Sequence, residues 1–170
     1  MATIKAYVTN LGLYNKGYLV GEWVTFPISE EEQEELFERI KIDETHEEIF
    51  ITDYETDIGL KIGEYTSIDE LNEIAEQVED LDDYEEEIVK ALIGNGYSLE
   101  DALNKKDDVM VYSGCSTMTE VAEQYADETG LLDSIPDNLR YYFDFEAFGR
   151  DMSYEGEFIF TDNGNCIEVL

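Results

Sequence analysis

Basic residues are scarce in this 170-residue chain: ten Lys and Arg stand against 43 Asp and Glu, a formal charge of −33. With so few cations, nothing basic is available to meet DNA phosphates. Cysteine is nearly absent too. Cys115 and Cys166 show no metal-type spacing and are too few for a disulfide framework, so they read as ordinary thiols in a reducing cytoplasm. The single histidine, His46, stands in DETHEE without an HExxH context and reads as a solvated loop residue. Glycine-rich nucleotide loops, a P-loop and a G-x-S-x-G elbow are missing, which removes the commonest nucleotide and acyl-transfer chemistries. DLDDYEEEIV lacks the mid-loop Gly and alternating oxygen ligands of a calcium loop. Among 43 acids, any carboxylate pair is uninformative about glycoside hydrolysis. No catalytic residue, metal or cofactor is therefore expected. No apolar run approaches the roughly 20 residues that span a bilayer. MATIKAYVTN also lacks the basic and apolar regions of a signal peptide, so a cytoplasmic protein with no membrane partner is expected.

What is present argues for a folded chain. Apolar residues make up 43% and aromatics 12%, including twelve Tyr and eight Phe, well above the hydrophobicity at which high charge prevents folding. TIKAYVT (3–9) and YLVGEWV (18–24) read as antiparallel strands joined by a turn in NLGLYNKG, and Pro27 closes the second. Ser29 with Glu32 forms a capping box before a helix, and EEIFITD (47–53) reads as a third strand. Ser67 and Glu70 open another helix, whose apolar face runs Ile68, Leu71, Ile74, Ala75, Val78 and Leu81. The same logic continues through Ile88, Val89, Leu92 and Ile93 to a stop at Gly94, and SLEDALNK adds a short helix. VMVYS reads as a strand, and a helix runs from Thr117 with Glu120 to Gly130. PDNLRYYFDFEAFGRDM is helix-compatible with Pro136 in a first turn, its aromatics Tyr141, Tyr142, Phe143, Phe145 and Phe148 assigned mainly to the core. EGEFIFTD and NCIEVL close the chain as a hairpin. The expected organisation is an N-terminal sheet unit with one helix (1–62), an acidic helical middle unit (63–106) and a C-terminal α+β unit (107–170), without repeats or low-complexity linkers.

The acids are not evenly balanced along the chain. Twelve lie between Lys61 and Lys90 with no basic residue among them, and eight more between Lys106 and Arg140. They are therefore not mainly tied up in i,i+4 ion pairs; they face water or a cationic partner. Ordinary solubility needs a net charge of only about 2 to 8. B-DNA carries one charge per about 1.7 Å, so 33 charges match roughly 56 Å of duplex. A 170-residue globule is only about 40 Å across. An imitation of DNA would then be elongated, dimeric or both. An acidic module for another basic protein, and a surface adapted to high salt, are the alternatives that composition leaves open.

The residues carry a specific likeness as well. ADETGLLDSIPDNLRYYFDFEAFGRDMSYEGEFIFTDNG (126–164) closely resembles the signature region of the ArdA antirestriction family. YVTNLGLYNKGYLVGEWVTFPI, IFITDYE and GEYTSIDELNEIAE resemble the family in the same order over nearly the whole chain. The resemblance implies an elongated, curved α+β fold with an N-terminal antiparallel sheet unit, a helical middle and a C-terminal mixed unit. It implies a non-enzymatic homodimer, carried by mobile genetic elements, that mimics bent B-form DNA. Such a mimic occupies the DNA-binding groove of a type I restriction-modification enzyme, whose methyltransferase core would be the partner. The family's antirestriction motif matches ETGLLDSIPDNLRYY, which places Leu131, Leu132, Ile135, Pro136, Leu139 and Tyr142 at the dimer contact, with Arg140 pairing with an acid across it. Phosphate-mimicking contacts are expected of Glu64, Asp69, Glu70, Glu73, Glu76, Glu79, Asp80, Asp82, Asp83, Glu85, Glu86 and Glu87, extended by Glu30, Glu31, Glu34 and Glu35.

Overall fold

The computed structural model of the chain describes residues 2–170. Packing divides it into two compact units, one ending at Glu86 and one spanning Glu87–Leu170. Each holds a three-stranded antiparallel sheet, and eight helices among the described residues complete an α+β fold of the expected class.

In the first unit, β1 (Ile4–Asn10) is the central strand, flanked by β2 (Gly21–Phe26) and β3 (Ile49–Thr56). Ile4, Ala6 and Val8 are buried while Lys5 and Tyr7 are half-buried on the opposite face, the period of two that one covered sheet face imposes. Buried Asn10 ends β1. Its side-chain oxygen accepts from the Leu13 N–H (3.0 Å), capping a one-turn helix, α1 (Leu11–Tyr14), where only a turn was expected. Its amide donates to the carbonyls of Ile40 and Lys41 at 3.1 and 2.9 Å. β2 starts three residues later than strand propensity suggests, leaving Tyr18 and Leu19 exposed outside the ladder.

α2 (Glu30–Arg39) starts at the expected capping box: the Ser29 hydroxyl accepts from Glu32 N–H and the Glu32 carboxylate accepts from Ser29 N–H at 2.8 Å. α3 (Ile68–Val78) starts likewise at Ser67 and Glu70. It buries Ile68, Leu71, Ala75 and Val78, each large apolar side chain contributing about 1.5–3 kcal/mol. The Asn72 side chain bonds both backbone groups of Ile28 (2.8 and 3.0 Å), tying α3 to the entry of α2.

The division between units falls inside α4 (Asp83–Gly94), which buries Ile88, Val89 and Leu92. The helix stops at Gly94, as expected, and the turn that follows it is made at Gly96, whose φ of 102° only glycine adopts easily. α5 (Leu99–Lys105) follows, capped by Ser98. The second sheet sets β6 (Cys166–Val169) between β4 (Val109–Tyr112) and β5 (Glu157–Phe160), with β5 and β6 forming the expected hairpin. α6 (Met118–Thr129) runs from its Thr117–Glu120 capping box to Gly130 in the left-handed region, as expected.

Residues 136–152 differ from expectation. Pro136 stands outside the first turn, as N-cap of a four-residue α7 (Asp137–Arg140), and a fresh helix, α8 (Phe145–Glu155), starts where the Asp144 carboxylate accepts from Ala147 N–H (2.9 Å). The aromatic run splits with it. Phe143 packs edge-on against Phe145 and Phe148, centroids 4.9 and 5.5 Å apart, whereas Tyr141 and Tyr142 are 92% and 84% exposed and are not core residues. His46 also departs from expectation. Its ring lies against Gly12 with the side chain only 14% exposed, between the Lys16 ammonium (2.7 Å) and Asp43 (3.0 Å). Cys115 and Cys166 are buried free thiols, and burial pushes Cys166 up to about 12, so neither is poised as a nucleophile.

Candidate functional site

The first unit presents carboxylates from two helices that its own core orients. Because Leu36 of α2 is buried, Glu30, Glu31, Glu34 and Glu35 are turned to solvent. Arg39 closes this strip, its guanidinium gripping Glu22 at 2.7 Å and reaching Glu35 at 3.6 Å. Glu32, which the sequence pattern assigned to the cap, is held below the ordinary carboxylate range by the Ser29 N–H and then the Ser29 hydroxyl.

α3 is the cleaner array. Its buried stripe forces Asp69, Glu70, Glu73 and Glu76 outward along eleven residues. At 1.5 Å of rise per residue this is one carboxylate per about 4 Å of axis, close to the roughly 3.4 Å per charge of one DNA strand. Among the described residues, no Lys or Arg lies within ion-pair distance of these four. Glu70 is partly committed, accepting from Ser67 N–H at 2.8 Å. Glu64 is exposed in the loop before the helix, and Glu79, Asp80, Asp82 and Asp83 carry the exposed run past its end.

Two further acids have structural work that the sequence reading missed. Asp82 accepts from the N–H groups of Tyr84 and Glu85 (2.9 and 2.8 Å), and Glu85 accepts in return from Asp82 N–H (3.1 Å). The D-x-x-E spacing of a reciprocal cap was legible at 82–85, hidden only by the density of acids around it. Glu85 and Glu86 are half-buried.

Glu87, the first residue of the second unit, behaves differently from the other expected contacts. Its carboxylate accepts from the Thr161 hydroxyl and the Asn165 amide (the latter at 2.9 Å), bracing the β5–β6 turn. Burial pushes its pKa up, but hydrogen bonds from Thr161, Asn163 and Asn165 outweigh that and hold it low. Nearby, Lys90 pairs with Asp162 at 2.9 Å. The second unit has its own exposed acids outside the expected set: Glu123, Asp127 and Glu128 on α6, and Glu146, Asp151 and Glu155 on α8. The long stretch without cations before Arg140 was the signal for the first three.

Between α6 and α8 lies the segment matching the motif. None of Leu131, Leu132, Ile135, Pro136, Leu139 and Tyr142 is buried; Leu131 is 40% and Leu139 50% exposed. Arg140 does not extend from this loop. Its Nε donates to the Ile135 carbonyl (3.1 Å) and its guanidinium lies 3.5 Å from Asp137 and 3.9 Å from Asp133, so it braces the loop from within. Among the described residues no three His, Cys, Asp or Glu side chains converge to hold a metal, and no helix is long and apolar enough to cross a membrane.

What these carboxylate surfaces can do chemically is bind cations in number. A family model described as antirestriction protein (ArdA) matches residues 6–166. No curated protein matches the chain significantly.

Proposed function

The chain belongs to the ArdA antirestriction family, and from that premise we propose that it acts without catalysis, by imitating bent B-form DNA in the binding groove of a type I restriction-modification enzyme. Lys and Arg that would meet phosphates meet carboxylates instead, and the incoming duplex is kept out by competition. The observation that carries this reading is the α3 array, four outward acids at nearly the axial charge spacing of a DNA strand with no cation of the described residues to neutralise them. The expected contact set is Glu30, Glu31, Glu34, Glu35, Glu64, Asp69, Glu70, Glu73, Glu76, Glu79, Asp80, Asp82, Asp83, Glu85 and Glu86 in the first unit, with Glu87 a brace more than a contact. Two copies join through the exposed apolar residues of the 131–142 loop, and the protein works in the cytoplasm of a cell entered by the mobile element that encodes it.

A competition titration tests the reading. The purified protein is added to a type I methyltransferase core holding a fluorescent duplex with its recognition site, at two salt concentrations. Stoichiometric displacement that weakens with salt is the expected result. No displacement at several hundredfold excess of folded protein refutes the mimic, and equal binding to unrelated basic proteins would make it a general polyanion sink.

A further inference from the structure

The covered face of the first sheet is accounted for by the core; its other face carries an arrangement that the carboxylate array does not explain. On that face the strands align Trp23 with Tyr7 and Tyr7 with Asp53, and in the next row Thr25 with Lys5 and Lys5 with Glu55. Trp23, the single tryptophan of the chain, is 45% exposed. It meets Tyr7 edge to face, with centroids 5.7 Å apart and planes at 77°. Tyr7 is itself fixed: its hydroxyl donates to the Gly21 carbonyl at 2.9 Å, and its ring lies where a Cβ on residue 21 would stand only 2.9 Å away. Gly21 opens β2, and a Cβ there would meet the Val8 carbonyl oxygen at 2.5 Å as well as the phenol, so the close approach of backbone and ring requires a glycine. The aromatic pair is thus held rigidly, with its indole left open to water.

The charges around the pair choose among occupants. Asp53 is exposed, in register with Tyr7, and no Lys or Arg of the described residues lies within ion-pair distance of it. Lys5 points across to Glu55 at 4.0 Å. A second copy of this chain is opposed by like charge, and an apolar segment would bury Asp53 and Glu55. An arginine satisfies both features at once, since its planar guanidinium stacks on an aromatic face while its N–H groups bond a carboxylate.

We propose that this open sheet face is a second contact surface, on which Trp23 and Tyr7 receive arginine side chains of the cationic partner with Asp53 as the countercharge. The inference rests on the competitor reading above and adds to it a stacking contact that carboxylates cannot make.

The test uses the full-length protein in the same duplex-displacement titration, comparing wild type with Trp23→Leu, Trp23→Phe and Asp53→Asn, each checked for an unchanged circular dichroism spectrum. Trp23→Leu is expected to need about two- to fivefold more protein for half displacement, the range of an exposed cation–π contact, and Trp23→Phe less than that. Asp53→Asn leaves the aromatic pair and the core untouched and is expected to weaken competition in the same direction, which keeps the test valid should Trp23→Leu fail to fold. Wild-type displacement with both Trp23→Leu and Asp53→Asn unchanged overturns this inference alone. If Trp23→Leu does not fold, unchanged Asp53→Asn overturns it by itself. A wild type that displaces nothing overturns the competitor reading and this one with it.

Discussion

Gly149 of α8 lies against the first residue of α6, Met118, so closely that a Cβ at position 149 would stand 2.3 Å from the Met118 carbonyl oxygen. Two helices cross here with their backbones nearly touching. The segment between them carries the exposed Leu131, Pro136, Leu139 and Tyr142, so this crossing anchors the segment that we assign to self-association.

Gly149→Ala should therefore destabilise the protein. In an open helix the change would gain about 0.5–1 kcal/mol. Here the methyl meets backbone, which has to move, and overpacking of this kind costs about 1–3 kcal/mol. The expected outcome is a lower urea midpoint with an unchanged slope. An unchanged or raised midpoint would mean that the two helices separate without cost.

The contact assignment of α3 is best tested on acids that hold nothing else together. Asp69, Glu73, Glu76 and Glu79 make no side-chain cap or ion pair among the described residues, unlike Glu70, Asp82, Glu85 and Glu87. Exposed pairs contribute about 0.2–1 kcal/mol each, so replacing all four by their amides should weaken duplex displacement by roughly 1–4 kcal/mol, with each single change near the limit of measurement. The fourfold variant should also depend less steeply on salt. Equal competition by variant and wild type would remove α3 from the contact surface.

Glu87 supplies a pH signature. Its pKa in the fold lies below its unfolded value. The bonds from Thr161 and Asn165 therefore contribute stability above the unfolded pKa, and that stability is lost as pH falls through the folded value. Glu87→Ala is expected to lower stability at pH 7 by about 1 kcal/mol, a modest figure because the site is only half-buried. The gap between variant and wild type should close in acid as the wild-type carboxylate protonates. Urea titrations of both proteins at neutral and acid pH check this, and the difference cancels the relief of net repulsion that they share. A gap that stays constant with pH would show that Glu87 acts through packing alone.

Much of this was legible in the sequence because it is local. Ser29 with Glu32, Ser67 with Glu70 and Thr117 with Glu120 each start a helix where the pattern places it, since a cap is decided within four residues. The hidden features depend on partners distant in the chain. The one-turn helix α1 stands on Asn10, whose side chain caps it and bonds the Ile40 and Lys41 carbonyls. His46 is sheltered by Gly12, and Glu87 is occupied by a turn more than seventy residues away. Tyr141 and Tyr142 read as core because a core and a protein interface use the same residue types, and only burial separates them.

That exposure leads to the sharpest prediction about self-association. Leu131, Pro136, Leu139 and Tyr142 are exposed on one segment, with Arg140 folded back onto the segment's own carbonyl, and a monomer would leave them in water. Leu139 is 50% exposed, so Leu139→Asp should leave the fold intact, with an unchanged circular dichroism spectrum. In a pairing surface it would bury an unpaired charge beside others of the same sign, and loss of one central contact raises a dissociation constant by about 30-fold or more. The variant should sediment as a monomer at concentrations where wild type is a dimer. It should also displace the duplex less well than wild type, because each encounter then offers the groove one chain's carboxylates instead of two. A wild type that sediments as a monomer throughout the micromolar range would remove the loop from self-association and leave its exposed apolar residues to the target instead.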